Sequence, residues 1–462
     1  MEGNGVAADY RAFLDSKMDF GASHGFEPIE IPDFLKDFQR FFVDWALRRG
    51  RAALYEDCGM GKSPQELVWA DNVVRHTNRN VLLLTPLGVT GQMLREANKF
   101  GIDAELCRDG KFTKKIIISN YEQINKFSPL DFAGFIGDES QIIKNFNGRT
   151  KAEVTEFMRT IPYRLLCTAT PAPNDYPELG TSAEALGEMG YQDMLTMFFR
   201  NETTKEREFY VKGWARQKQW ILRKYAERNF WRWICSWARA ARKPSDVGFS
   251  DDGYILPGLT VDEHVVTART KRDGFLLDMP AITLDEQREE RRRTIQERCE
   301  RIVELVNHDQ PAIVWCHLND EGDLLAKLIK DSIQVSGSDS DESKEDAFAA
   351  FSSGQVRVLV SKPRIAGYGL NFQHCAHQTF FPSHSYQEWY QSVRRSYRFG
   401  QRRVVKVDIV ASEGESGVVA NLQQKADAAD MMFSKLVELM NDQLHLKRVD
   451  PFVKTVDVPP WL

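Results

Sequence analysis

Short apolar runs rich in β-branched residues alternate with amphipathic, helix-length stretches in two separate parts of this 462-residue sequence. This alternation predicts parallel sheets with helices on both faces, because each crossover between parallel strands needs a connection about as long as a helix. The predicted strands are residues 53–55, 81–84, 116–118, 135–136 and 164–167, and then residues 313–316, 333–335, 356–360, 379–381 and 404–410.

The two alternating regions indicate two α/β domains in tandem. We expect a lead-in over residues 1–26, a first domain over 27–174, a helix-rich insertion over 175–279, a second domain over 280–445 and a tail over 446–462. A chain of this length has room for two hydrophobic cores.

Composition excludes several classes of protein. No apolar run approaches the roughly 18 residues that cross a bilayer, and the first 20 residues lack the apolar core of a secretory signal. The seven cysteines include no C-x-x-C pair, which favours a reducing compartment over a disulfide framework or a zinc module. We therefore expect a cytoplasmic protein without a membrane partner.

A glycine-containing loop follows the first predicted strand and opens a helix. In it, Gly59 and Gly61 would let backbone N–H groups point at a β-phosphate, while Lys62 would neutralise the phosphates and Ser63 would ligate Mg²⁺. Glu56 stands where the strict pattern has its first glycine, so an ordinary turn before Lys-Ser is the alternative. The candidate ATP-binding stretch is Cys58, Gly59, Met60, Gly61, Lys62 and Ser63.

Paired acids end a later predicted strand. At that position Asp138 can hold Mg²⁺ and Glu139 can orient or deprotonate an attacking water. The alternative is a common strand-to-loop junction. Residues 168–171, Thr-Ala-Thr-Pro, close the next predicted strand, and this ordered series makes coincidence a poor explanation.

Taken together, these motifs resemble those of superfamily 2 helicases, and within them the Swi/Snf-like ATPases. Residues 56–63 are similar to D-E-M-G-L-G-K-T, which accounts for Glu56, and residues 138–145 are similar to D-E-S/A-H-x-x-K-N. Residues 168–174, 361–372 and 391–401 resemble T-G-T-P-x-x-N, S-T-x-A-G-G-x-G-L-N-L and Q-A-x-x-R-x-H-R-x-G-Q. The resemblance covers about residues 33–412 and extends to compact helicases of bacteriophages and prophages, which share a Trp/Arg-rich middle segment.

The resemblance implies two RecA-like domains that bind ATP and Mg²⁺ between them and move on nucleic acid, with double-stranded DNA favoured. It also implies a monomer in the cytoplasm of a bacterial host cell, with replication or recombination proteins as partners. Motif by motif it implies an adenine contact from Gln39, arginine fingers at Arg395 and Arg398, coupling roles for Thr168, Thr170 and Gln391, and nucleotide contacts from Gly369 and Asn371.

Two histidine positions of the family pattern are occupied by other residues in this chain. Gln141 and Tyr397 replace histidines that relay signals between nucleotide and nucleic acid, so hydrolysis should survive while coupling is in doubt. Arg394 has no counterpart in the motif, and we expect it on the surface or facing DNA.

One stretch of the insertion is basic although the whole chain carries a net charge of −5. Residues 203–243 contain twelve lysines and arginines but only three glutamates. Helical spacing predicts a subdomain core from Phe230, Trp233, Ile234 and Trp237, whereas Trp231 could stack on a base or pack against another helix. Arg228, Arg232 and Arg239 are the candidate nucleic-acid contacts, with a solvated face as the alternative.

The sequence leaves three functions open. The motif set favours an ATP-dependent translocase or helicase. A nucleotide-dependent DNA clamp that recruits partners, and the motor subunit of a nuclease or defence complex, are the alternatives; no nuclease motif is evident in this chain.

Overall fold

The computed structural model describes residues 24–144, 148–172, 175–202, 219–269, 284–367 and 370–448. Strands of the first half are β1 Arg51–Glu56, β2 Asn80–Thr85, β3 Ala104–Leu106, β4 Ile116–Asn120, β5 Phe132–Asp138, β6 Tyr163–Thr168, β7 Phe199–Glu202, β8 Gln219–Leu222 and β9 Ala238–Ala241. Its helices are α1 Asp37–Arg49, α2 Lys62–Thr77, α3 Thr90–Lys99, α4 Arg149–Met158, α5 Leu179–Leu186, α6 Tyr191–Phe198 and α7 Glu227–Trp237.

The second half repeats the alternation. Its strands are β10 Leu259–Val266, β11 Ala312–Trp315, β12 Ser332–Val335, β13 Val358–Ser361, β14 His377–Phe380 and β15 Val405–Ser412. Its helices are α8 Leu284–Arg293, α9 Ile295–Leu305, α10 Asn319–Leu328, α11 Asp341–Ser352, α12 Pro363–Ala366, α13 Tyr386–Val393 and α14 Ser416–Arg448.

Two parallel sheets organise the chain, in the orders β3-β4-β2-β5-β6-β1-β9 and β10-β15-β14-β11-β13-β12. Every predicted strand overlaps a strand of one of these sheets, so the expected fold class, two parallel α/β domains in tandem, is confirmed. The central strands are buried along nearly their whole length because helices cover both faces.

The segment between the predicted domains contributes to both sheets. Strand β9 pairs with β1 at one edge of the first sheet, and β10 pairs with β15 at one edge of the second. Strands β7 and β8 form a separate antiparallel ribbon. The prediction of a helix-rich insertion missed these strands. For β9 the reason is its sequence, Ala-Arg-Ala-Ala, which has little β-propensity of its own.

Helix α14 returns from the second domain to the first. Its Met432, Phe433 and Leu436 join the same hydrophobic cluster as the tryptophans of α7. Arg242, just after β9, pairs with Asp430 at 2.7 Å. The chain's long final helix therefore ties the two domains together.

None of the helices that the described residues form is long and apolar enough to cross a membrane. All seven cysteines are buried free thiols.

Candidate nucleotide site between the domains

The loop between β1 and α2 takes a shape that needs glycine at two positions. Gly59 and Gly61 have φ values of +92° and +80°, in the left-handed region that side chains disfavour. A Cβ on Gly61 would lie 2.3 Å from Nε2 of Gln39, and one on Gly59 would lie 2.9 Å from the ring of Phe399. The glycines thus allow the loop to curl before α2 while neighbours from both domains pack against it.

Lys62 and Gln39 hold the loop closed. Lys62 Nζ donates to the carbonyl oxygens of Glu56 at 2.9 Å and Asp57 at 3.4 Å. Burial by itself would lower the pKa of Lys62, but the acidic groups around it raise that pKa above its usual value, so the ammonium stays charged. Gln39 Nε2 donates to Met60 O at 2.8 Å and its Oε1 accepts from Lys36 N at 2.9 Å. An adenine contact from Gln39 stays a prediction.

Carboxyl groups converge beside Lys62. Asp138, at the end of β5, accepts a hydrogen bond from Thr85 Oγ1 at 2.9 Å. Burial, and then the neighbouring Glu139, raise the pKa of Asp138 to about 7. Glu66, one turn into α2, is fully buried, and burial together with Asp138 raises its pKa well above the usual value. Crowded, desolvated carboxyl groups of this kind gain from a nearby cation. Sequence reasoning missed Glu66.

A chain of hydrogen bonds leads from Glu139 to the end of β6. Glu139 has φ of +51°, a rare conformation for a residue with a side chain. Gln141 Nε2 donates to its carboxylate at 2.9 Å, Thr168 Oγ1 donates to Gln141 Oε1, and Thr170 N donates to Thr168 Oγ1 at 3.0 Å. The glutamine that replaces the expected histidine therefore links the predicted catalytic glutamate to both predicted coupling threonines.

Helix α13 of the second domain ends against the loop. Buried Gln391 accepts a hydrogen bond from the Cys58 thiol at 3.7 Å and one from Arg395 Nη2 at 2.9 Å. Burial, and then Arg395, lower the pKa of Arg398 to about 10, with Arg394 adding to the effect. The lowered pKa reports guanidinium groups crowded together in a desolvated place, which is an arrangement that attracts an anion.

Arg394 contradicts the expectation of a surface or DNA-facing residue. Only 4% of it is exposed, and its Nη2 lies 2.7 Å from Oδ2 of Asp57 and 2.9 Å from the carbonyl oxygen of Cys58. An inter-domain cavity of about 800 Å³ adjoins this contact and is lined in part by Asp57, Thr170 and Arg394. The motif gave no signal for Arg394, because the family pattern has no arginine there.

The predicted nucleic-acid residues divide into two groups. Arg228 and Arg232 are exposed and lie one turn apart on α7. Arg239 is 5% exposed, donates to the carbonyl oxygens of Cys235 and Ala238, and stacks over Trp45 at 4.3 Å. This burial contradicts the prediction for Arg239: α7 ends at Trp237, so the side chain leaves from strand β9 into the interior and not from the helical face.

The remaining predicted residues have simple placements. Trp231 is buried and packs edge-on against Tyr176, so it belongs to the core with Phe230, Trp233 and Trp237. Asn371 is exposed. Gly369 lies outside the described residues, as do residues 173 and 174, the last two of the motif at residues 168–174.

Comparison with known proteins finds similarity in structure and not in sequence. No protein-family model and no curated protein sequence matches this chain. Among solved structures, the chain is similar to the SWI2/SNF2 ATPase core of Sulfolobus solfataricus in complex with dsDNA, with 18% identity and a TM-score of 0.41, over 90% of this chain and 96% of that one. A likeness of this degree does not identify a ligand or an activity.

The residues present fit a magnesium nucleotide. Lys62 and the arginine cluster supply positive charge for phosphates, and Asp138 is a buried carboxyl group whose pKa is raised by burial and then by the neighbouring Glu139. The described residues contain no group of three or more metal-ligating side chains that could hold an ion alone. Mg²⁺ bound with a nucleotide commonly takes one or two protein ligands together with phosphate oxygens and waters.

We expect Glu56→Gln to remove one contribution to the pH dependence of the protein's folding stability. Glu56 is fully buried, and burial raises its pKa from 4.5 to about 7. The folded state therefore holds a proton that the unfolded state releases, so this residue makes stability fall as pH rises from about 4.5 to 7. The variant should match wild type at pH 4.5 and exceed it by about 1–3 kcal/mol at pH 8.

Urea unfolding of both proteins at pH 4.5, 6 and 8 checks this prediction. Glu122→Gln, at an exposed glutamate of the same domain, is the matched control and should show no such difference. A variant that loses stability relative to wild type as pH rises would show that Glu56 is ionised and stabilised in the folded protein.

Proposed function

We propose that this protein is an ATP hydrolase that uses the two-domain cleft to move along double-stranded DNA. The observation that carries the proposal is the meeting of two charge clusters across the cleft. One domain supplies the glycine loop, Lys62 and the carboxyl pair Asp138 and Glu139, and the other supplies buried arginines at the end of α13.

Each group has a role in that reaction. Cys58–Ser63 would hold the phosphates, and Ser63 and Asp138 would hold Mg²⁺, which supplies charge neutralisation when bound. Glu139 would orient the water, and Arg398 and Arg395 would stabilise charge in the transition state. The contact from Glu139 through Gln141 to Thr168 and Thr170 would pass the state of the site to the chain that follows β6.

DNA as the substrate is supported by the motif resemblance and by the exposed basic face at Arg228 and Arg232. The test is the ATPase rate with double-stranded DNA, single-stranded DNA and RNA measured side by side. Stimulation by double-stranded DNA above the other two supports the proposal, and equal rates with and without nucleic acid would refute it.

A nucleotide-dependent clamp is the second candidate. The docking of α14 on the first domain favours it, because a tie between the domains restricts the opening that a stepping motor needs. A triplex-displacement assay separates the two functions: displacement that requires ATP hydrolysis indicates travel, whereas stable DNA binding without displacement indicates a clamp.

Neutralising Arg228 and Arg232 together should weaken DNA binding and flatten its salt dependence. Each lost phosphate contact lowers the slope of log K against log salt by about one unit, so we expect a loss of about two. ATPase activity without DNA should not change, because neither residue belongs to a nucleotide motif. Fluorescence anisotropy across a salt series measures the slope.

The matched control is Arg292→Ala with Lys330→Ala, two exposed basic residues of the second domain. This control removes the same charge from the chain. An equal slope loss in the control would mean that net charge and not the α7 face governs binding, and an unchanged slope in the α7 variant would reduce that face to a solvated surface.

A further inference from the structure

Asp57, at the start of the nucleotide loop, is held by two residues of the second domain. Its Oδ2 lies 2.7 Å from Arg394 Nη2, and its Oδ1 accepts a hydrogen bond from the hydroxyl of Tyr390. The same Oδ1 accepts from Cys58 N at 2.6 Å. One carboxylate thus joins the loop's own backbone to α13 across the cleft.

Arg394 completes the grip on Cys58. Its Nη2 also donates to the Cys58 carbonyl oxygen at 2.9 Å. The N–H and the C=O of Cys58 are therefore both fixed, one directly by Asp57 and the other by Arg394. The orientation of the next peptide, which leads into Gly59, follows from that carbonyl's direction.

Arg395 is engaged elsewhere. Its guanidinium donates to the carbonyl oxygen of Gln391 at 2.9 Å, to Gln391 Oε1 at 2.9 Å and to the carbonyl oxygen of Leu370 at 3.1 Å. All three acceptors belong to the second domain. Of these two adjacent arginines, Arg394 donates hydrogen bonds to the nucleotide loop, whereas Arg395 donates hydrogen bonds within the second domain.

The surroundings strengthen the contact. Arg394 and Asp57 are 4% and 7% exposed, and the guanidinium carbon lies 5.8 Å from the ring centre of Tyr390 and 5.3 Å from that of Tyr397. Tyr397 stands where the resembled motif has histidine. Little water reaches this ion pair, so removing one partner strands the other in a desolvated place.

We infer that Asp57, Tyr390 and Arg394 form an inter-domain clamp that holds the nucleotide loop in its phosphate-binding shape, which makes Arg394 a positioning residue for ATP. The inference rests on the proposed ATPase function. Lys62 and Gln39 hold the loop from within the first domain, and α13 adds the contacts to Cys58, so domain closure and ATP affinity rise and fall together. When the domains separate, Cys58 loses its contacts with Arg394 and Gln391 and the loop relaxes.

A double-mutant cycle in the full-length chain tests the clamp. Asp57→Asn and Arg394→Gln keep a polar side chain and remove the charges, and a fluorescent ATP analogue with Mg²⁺ reports the Kd. We expect each single variant to raise the Kd about tenfold or more. The Kd of the double variant should be no higher than that of the single variant that binds ATP more weakly. Arg394→Lys should recover part of the affinity, because it restores the charge.

A second measurement separates positioning from catalysis. Single-turnover hydrolysis at saturating nucleotide should stay within about threefold of wild type in both single variants, because a positioning role acts on binding more than on the chemical step. Thermal unfolding of each variant checks that it is folded, and Tyr390→Phe, which removes one hydroxyl, should show a smaller rise in Kd than Arg394→Gln.

Three results would overturn the clamp. Additive effects in the double variant would show that the two residues do not act together. A fall in turnover with unchanged Kd would make Arg394 a transition-state ligand. If wild type binds no nucleotide, the clamp and the proposed function both fail, whereas wild-type binding with an additive cycle removes the clamp alone.

Discussion

Glu139→Gln is expected to bind ATP and hardly hydrolyse it. The amide keeps the shape of the side chain and its contact with Gln141, but it cannot take a proton from the attacking water. Asp138 and Lys62 are untouched, so nucleotide and Mg²⁺ binding should persist. The loss of a catalytic acid or base costs about 100-fold or more in rate. Steady-state ATPase activity and equilibrium nucleotide binding, measured together, check the prediction.

The left-handed backbone at Glu139 gives its side chain an unusual direction. Its φ of +51° aims the side chain away from the direction that the end of a regular strand would give it. Glu122→Gln, an exposed change in the same domain, controls for loss of a negative charge. Near-normal turnover in Glu139→Gln would mean that another group activates the water, and buried Glu66 would be the next candidate.

Arg398→Ala should cut turnover by about 10³ while leaving nucleotide affinity within roughly tenfold. Arginines that reach a transferring phosphoryl group act mainly in the transition state, and losses of this size are typical. The cluster supports the assignment, because Arg398 has a pKa lowered to about 10 by burial and by its arginine neighbours. A bound anion relieves the repulsion between the neighbouring arginines, and the alanine variant lacks one of the positive charges that would stabilise the anion.

The matched control is Arg402→Ala, an exposed arginine four residues further along the chain. Its turnover should equal that of wild type. A collapse of nucleotide affinity in Arg398→Ala, with unchanged turnover per bound ATP, would make Arg398 a ground-state ligand. The expected pattern also contrasts with that of Arg394, for which affinity and not turnover should change.

The ten predicted strands could be found because each is a local pattern. A run such as Val81–Leu84 is apolar on both faces, and only a strand buried on both sides uses such a run well. The edge strand β9 was not predictable, because its alanines carry no local preference. It becomes a strand through pairing with β1, which depends on where the rest of the chain has already folded.

The same division explains which site residues could be found. Gly59, Gly61 and Lys62 lie within a few residues of one another, so their spacing alone indicates a phosphate loop. Arg239 was misplaced because it was grouped with Arg228 and Arg232 by charge, although α7 ends two residues before it. All four residues of β9 are buried, so its position in that strand places Arg239 in the interior.

The sequence by itself determined the two parallel-sheet α/β domains and predicted the nucleotide loop and the acidic pair, since strand patterns and loop chemistry depend on residues close together in the chain. Only the tertiary structure decided which arginine touches that loop. Arg394, Arg395 and Arg398 are close in sequence and identical in chemistry, but the end of α13 turns Arg394 toward Asp57 and Arg395 back toward Gln391. More than 300 residues separate Asp57 from Arg394, and the packing of two domains sets their distance.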